Sequence, residues 1–144
     1  MQIAIRPVRK EDFPAWLKLW DGYNSFYGRS GETALASAVT SMTWSRFFDA
    51  YEPVHALVAE QDGALLGLVH FLYHRSTTAI GLSCYLQDLF TVEDARGLGV
   101  GRALIEIGYR IATSFHQRGH QVIGFCDRPP GGIDKTRLYQ LPLF

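Results

Sequence analysis

Cysteine is scarce in this chain: Cys84 and Cys126 are the only two in 144 residues. They lie far apart and match no metal-ligand or redox spacing, so we expect two reduced core residues in a cytoplasmic protein and no metal site. An excess of either charge is also missing, because 14 Lys and Arg balance 14 Asp and Glu. That balance argues against a general nucleic-acid or anionic-membrane binder. No apolar run reaches the ~18–20 residues that a membrane span requires. The chain opens on the alternating run Ile3-Ala4-Ile5-Arg6-Pro7-Val8, which reads as a strand and not as a signal peptide. No internal repeat or linker divides it. What is abundant is apolar surface, 47% of residues, which excludes a disordered chain. The expectation is one domain over 1–144, able to bury roughly two-thirds of its unfolded surface.

The chain predicts alternating layers. Lys10-Glu11-Asp12-Phe13-Pro14 is a helix start, with Phe13, Trp16, Leu17, Trp20, Tyr23 and Tyr27 at helical spacing behind it. A second helix is expected over about 32–50, with Leu35, Ala38, Val39, Met42 and Phe47 inward. Two strands, 54–60 and 65–75, flank an Asp62-Gly63 pair that signals an antiparallel hairpin. A strand over 83–92 is apolar on both faces and so central. A helix from Val100 and a strand over 121–126 complete a parallel crossover. The fold class that follows is α/β, with a mixed, mostly antiparallel sheet and helices on both faces.

The most informative stretch runs from Tyr85 to Ile105. Glycine stands at every second position of a turn, Gly97, Gly99 and Gly101, directly before a helix with Val100, Leu104, Ile107, Ile111 and Phe115 on one face. A helix start leaves its first N–H groups unpartnered and carries about half a positive charge. Glycines let an anion approach those groups, so the turn suits a phosphate or pyrophosphate. No lysine follows, as a P-loop requires, and the third glycine and distant acid of a dinucleotide fingerprint are missing. The pattern present is Arg96-Gly97-Leu98-Gly99-Val100-Gly101.

On that turn, the strand Tyr85-Leu86-Gln87-Asp88-Leu89-Phe90 and the strand order, residues 3–125 resemble the GNAT superfamily of acetyl-CoA-dependent N-acetyltransferases. The likeness is greatest to its small polyamine and Hpa-type members. The resemblance implies the acyl-CoA N-acyltransferase fold and acetyl-CoA as co-substrate. It implies that the main chain of Leu89, Phe90 and Thr91 pairs with the pantetheine arm like an added strand. It implies that the amides of Gly97, Leu98, Gly99, Val100, Gly101 and Arg102 hold the pyrophosphate. Arg96 and Arg102 either add charge there or are exposed solubilising residues. A free N–H near Phe90 would polarise the thioester carbonyl.

The family's usual base on this strand is a glutamate, and here Gln87 occupies that position, which cannot take a proton. Asp88 beside it is expected to bond backbone or a cation. The family's acid is a tyrosine, matched by Tyr139 in Leu138-Tyr139; the alternative is a tail tyrosine without a role. Gly124 to Gly132 departs from the family pattern, and the chain stops at Phe144, before the family's final hairpin. A sheet without that hairpin keeps an open edge, which favours a homodimer. His70 and His74 share a strand face about 13 Å apart at ~3.3 Å per residue, too far for one metal. Tyr23 and Tyr27 lie where the family borders its acceptor groove and could hold an amine by cation–π contact, or be core.

The leading expectation is acetyl transfer from acetyl-CoA to a primary amine of a small molecule or protein, by direct attack in a ternary complex. The alternative is a CoA-binding sensor or assembly protein with little activity.

Overall fold

The computed structural model describes residues 2–75, 77–78, 80, 82–116 and 121–124. Eight principal elements follow in chain order: β1 (Ala4–Pro7), α1 (Phe13–Phe26), α2 (Ser37–Arg46), β2 (Val54–Gln61), β3 (Ala64–Arg75), β4 (Leu82–Thr91), α3 (Val100–His116) and β5 (Gln121–Gly124). The strands form one sheet in sequence order. Neighbours are antiparallel from β1 to β4, and β4 pairs with β5 in parallel. This is the mixed, mostly antiparallel sheet expected from the pattern.

The β2–β3 hairpin closes on Asp62 and Gly63, whose φ angles of 51° and 80° both lie in the left-handed region. That conformation matches the right-handed twist of the flanking strands, and an Asp-Gly pair adopts it readily. On the neighbouring edge strand, Arg6 of β1 binds Asp12, just before α1, and Glu60 of β2. One guanidinium thus ties three segments, and it holds the Asp12 carboxyl below the usual carboxylate range.

Helices cover both faces of the sheet. Val8, Trp16, Leu19, Trp20, Tyr23, Ala56, Val58 and Leu68 form the core under α1. Leu57, Ala59, Val69, Phe71, Cys84, Val100 and Leu104 belong to the core under α3. In α3, Val100 and Leu104 are buried, while Ile107 and Ile111 pack at the margin. Buried Cys84 is unpaired, and burial pushes its thiol up to about 11.

The second helix differs from its expected register. It is shorter, and Ala38, Val39 and Met42 are exposed. The face that meets α1 is instead set by Thr40, which accepts a hydrogen bond from the Trp20 indole at 3.3 Å, and by Trp44. Trp44 lies 4.7 Å from Trp16 and 5.3 Å from Phe13, centroid to centroid. Large rings meeting across the interface outweigh a face chosen by small aliphatic residues.

Candidate active site

The turn before α3 has the form that an anion-binding helix start needs. Gly97 and Gly99 adopt φ of 79° and 82°, where any other residue would be strained. Nothing lies within 4 Å of a Cβ built at either glycine, so both face open space. The Ala103 N–H donates to the Gly99 carbonyl at 2.9 Å. The amides of Val100, Gly101 and Arg102 precede that bond and have no acceptor within the helix. Arg96 Nε points back at the Thr91 carbonyl, 3.4 Å away. Arg102 is exposed, with its Nε donating to Glu106 at 2.7 Å. Leu98 stands exposed at the crest of the turn.

Strand β4 leads directly to this turn. Its first half is paired on both sides, with β3 and with β5, up to the Leu86–Gly124 pair. From Gln87 onward, β4 pairs with β3 alone among the described residues. A bulge lies at this point of the β3–β4 register: His70 pairs with Asp88 and Phe71 with Leu86, so Gln87 has no partner on β3. The bulge resets the side-chain phase. Leu86 and Leu89 both join the α3 core, whereas Phe90 joins the α1 core and Asp88 binds His70 on that side. Gln87 itself is exposed. The backbone edge of Leu89, Phe90 and Thr91 therefore lies next to the glycine turn, where the Thr91 hydroxyl is 3.5 Å from a Cβ built at Gly101.

Asp88 does not project freely. Its carboxylate accepts from His70 Nδ1 at 2.9 Å and lies near enough to Tyr23 to act on its phenol. On the other side of the imidazole, the Trp16 indole N–H donates to Nε2 at 3.0 Å. An indole nitrogen can only donate, so Nε2 carries the lone pair and Nδ1 the proton. The result is a neutral His70 held between Trp16 and Asp88. His70 is 2% exposed and is enclosed by the rings of Trp16, Trp20 and Phe47. Burial and the Asp88 carboxylate push the Tyr23 phenol well above its usual range.

Tyr23 and Tyr27 are adjacent, 4.9 Å between centroids, but a cation is already present. The Arg29 guanidinium lies 5.7 Å from the Tyr23 centroid and 5.5 Å from that of Tyr27. Its Nε donates to Asn24 Oδ1 at 2.7 Å, and buried Asn24 is fixed in turn by donating to the Trp20 carbonyl.

The structure thus gathers Gln87, Leu89, Phe90, Thr91 and the 96–102 turn along one path, with Tyr23 near Asp88 of β4. Tyr139, Gly119, Cys126 and the expected position of the final hairpin lie outside the described residues. Sequence reading missed Asn24, Arg29 and the pairing of Trp16 with His70. Trp16 and His70 are 54 residues apart and meet only because α1 packs on β3. An Asn four residues after Trp20, followed by an Arg near two tyrosines, was the available signal for the others. Among the described residues, no group of three or more His, Cys, Asp or Glu could hold a metal ion, and no helix is long and apolar enough to cross a membrane.

Known proteins resemble this chain in sequence and in fold. Residues 52–140 match the model of the acetyltransferase (GNAT) domain family. The D-amino-acid N-acetyltransferase HPA3 of Saccharomyces cerevisiae is 32% identical over 110 residues, covering 75% of this chain and 66%, just under two-thirds, of the yeast protein. Among solved structures, the ribosomal-protein-alanine N-acetyltransferase of Brucella melitensis biovar Abortus 2308 superposes with a TM-score of 0.69 at 18% identity, over 90% of this chain and 83% of that one. AAC(6')-Iy, solved with the bisubstrate analog CoA-S-monomethyl-acetylneamine, gives 0.68 at 16% identity, over 92% and 83%. At these identities the two structures establish the fold.

Proposed function

Because the chain belongs to the GNAT acetyltransferase family, we propose that it transfers the acetyl group of acetyl-CoA to a primary amine by direct attack in a ternary complex. One observation carries this reading. Strand β4 carries the bulge at Gln87 and runs through Leu89, Phe90 and Thr91 straight into a helix start whose first amides have no acceptor within the helix. A diphosphate joined to an amide-bearing arm fits both parts. The open glycine turn at 97–102 receives the diphosphate, with Arg96 and Arg102 beside it, and the main chain of Leu89, Phe90 and Thr91 pairs with the arm. Bound there, acetyl-CoA supplies an activated acyl group.

The chain's own residues then have separable tasks. An amine with a lysine-like pKa of ~10.4 must lose a proton at pH 7, at a cost of about 4–5 kcal/mol. Asp88 is a poor base for this, because it is buried and His70 already donates to it. Gln87, exposed on the bulge, orients the amine or a water through its side-chain amide and accepts no proton. Tyr139 is assigned by resemblance to protonate the departing thiolate. Acceptor recognition falls to the Tyr23–Tyr27 side of β4. In our reading the protein works as a cytoplasmic homodimer of a single domain, and light scattering of the purified chain tests the dimer.

The test is calorimetric titration with acetyl-CoA, followed by thiol release on a panel of amines. The panel holds polyamines, an aminoglycoside, peptide N-termini and D- and L-amino acids, the D-amino acids chosen from the name of the yeast relative. Binding with thiol release on at least one amine is expected. Binding without release on any amine favours a CoA-binding protein of little activity, the reading that the non-basic Gln87 and the occupied Asp88 support. No binding refutes both.

A further inference from the structure

We infer that Arg29 is a carboxylate anchor, and that the acceptor is an amine bearing its own carboxylate, an amino acid or short peptide. The inference rests on the acetyl-transfer reading and names the substrate class of that site.

The guanidinium of Arg29 is held in place before any ligand arrives. Its Nε is spent on buried Asn24, and its carbon lies over the rings of Tyr23 and Tyr27. No carboxylate pairs with it among the described residues. The two terminal nitrogens keep the planar fork that binds a carboxylate bidentately, and fixing the Nε reduces the side-chain entropy lost on binding. Tyr23 links this fork to the reacting strand, because its ring carries Arg29 while its phenol lies within the influence of Asp88, next to the Gln87 bulge. An acceptor whose amine approaches the bulge therefore passes close to Arg29.

The same geometry disfavours a polyamine. The cation–π position over the two tyrosines is taken, and a second cation beside it meets like charge. A carboxylate meets the opposite charge, two free donors and partial shielding from water.

The experiment compares steady-state acetylation of amino acids with that of their carboxamides, and of spermidine, by the full-length protein and its Arg29→Gln and Arg29→Lys variants. Thermal melts confirm that each variant folds. The wild type is expected to show a KM lower by about tenfold or more for the acid than for the amide, the size of one charge-assisted pair. Arg29→Gln should erase that gap by raising the KM of the acid alone and should improve spermidine. Arg29→Lys, which keeps the charge without the fork, should restore part of the gap. A wild type that treats acid and amide alike, or an Arg29→Gln variant that raises both KM values equally, overturns the assignment while leaving acetyl transfer standing. CoA binding with no thiol release on any amine removes the acetyl-transfer reading and this one with it.

Discussion

Replacing His70 by Phe tests the buried chain that joins α1 to the centre of the sheet. The substitution keeps a planar ring in a site only 2% exposed and deletes two hydrogen bonds, from the Trp16 indole at 3.0 Å and to Asp88 at 2.9 Å. It strands the Trp16 N–H in the core and removes the imidazole donor to Asp88. Each buried group so abandoned costs about 1–3 kcal/mol, so the loss should total roughly 2–6 kcal/mol. For a chain of this length, that is a fall in Tm of about 6–18 °C. Urea unfolding followed by far-UV circular dichroism measures it. The decisive variant is the double substitution Trp16→Phe with His70→Phe. Removing both partners of a bond leaves neither unsatisfied, so the double variant should be more stable than the two single losses combined predict. A coupling of about 1–2 kcal/mol is expected, within the range for residues in contact. If the two losses add to within about 0.5 kcal/mol, the indole–imidazole bond contributes nothing specific and the neutral tautomer argued from it is unsupported.

Three further outcomes are expected. Gly99→Val should weaken acetyl-CoA binding by about tenfold or more on titration calorimetry, because a β-branched residue at φ 82° is strained by about 1–2 kcal/mol and places bulk in the anion's path; Gly28→Val, at φ 77° in open space, should lose similar stability and no affinity. Gly67→Ala should destabilise by about 1–3 kcal/mol in chemical denaturation, since the new Cβ would lie 2.7 Å from the Phe90 carbonyl oxygen, a backbone atom; retention of full stability contradicts this. Asp12 is held below its usual range by Arg6, so the pair contributes stability above the unfolded carboxyl's pKa of ~3.9, and that contribution should fade as pH falls through the lower folded value. Asp12→Asn should flatten this acid limb in a series of melts between about pH 2 and 5.

Local signals located much of this molecule. The Asp62-Gly63 turn, the glycines before α3 and the apolar run of β4 each impose their conformation through nearby atoms, so the hairpin, the glycine turn and the inner strand could be read in order. The α2 register could not, because Trp44 and Thr40 face inward to meet Trp16 and Trp20 on another helix. The bulge at Gln87 was hidden for a related reason. It appears only in the register of β3 against β4, and without it Asp88 and Leu86 would share a face. His70 was weighed with His74 as a distant pair, yet its partners are Trp16 and Asp88. A tryptophan at ordinary helical spacing gives no hint that its N–H is committed to an imidazole.

Gly22 has a consequence for how coenzyme A would be held. A Cβ built there would fall 2.7 Å from the tip of the Phe90 ring, so the bare backbone of α1 serves as the socket for that ring. The ring is keyed into α1 while the peptide group that bears it belongs to β4, paired with Leu68 of β3. If that peptide group pairs with the coenzyme's arm as proposed, crowding the socket with Gly22→Ala should be felt first as a looser grip on coenzyme A.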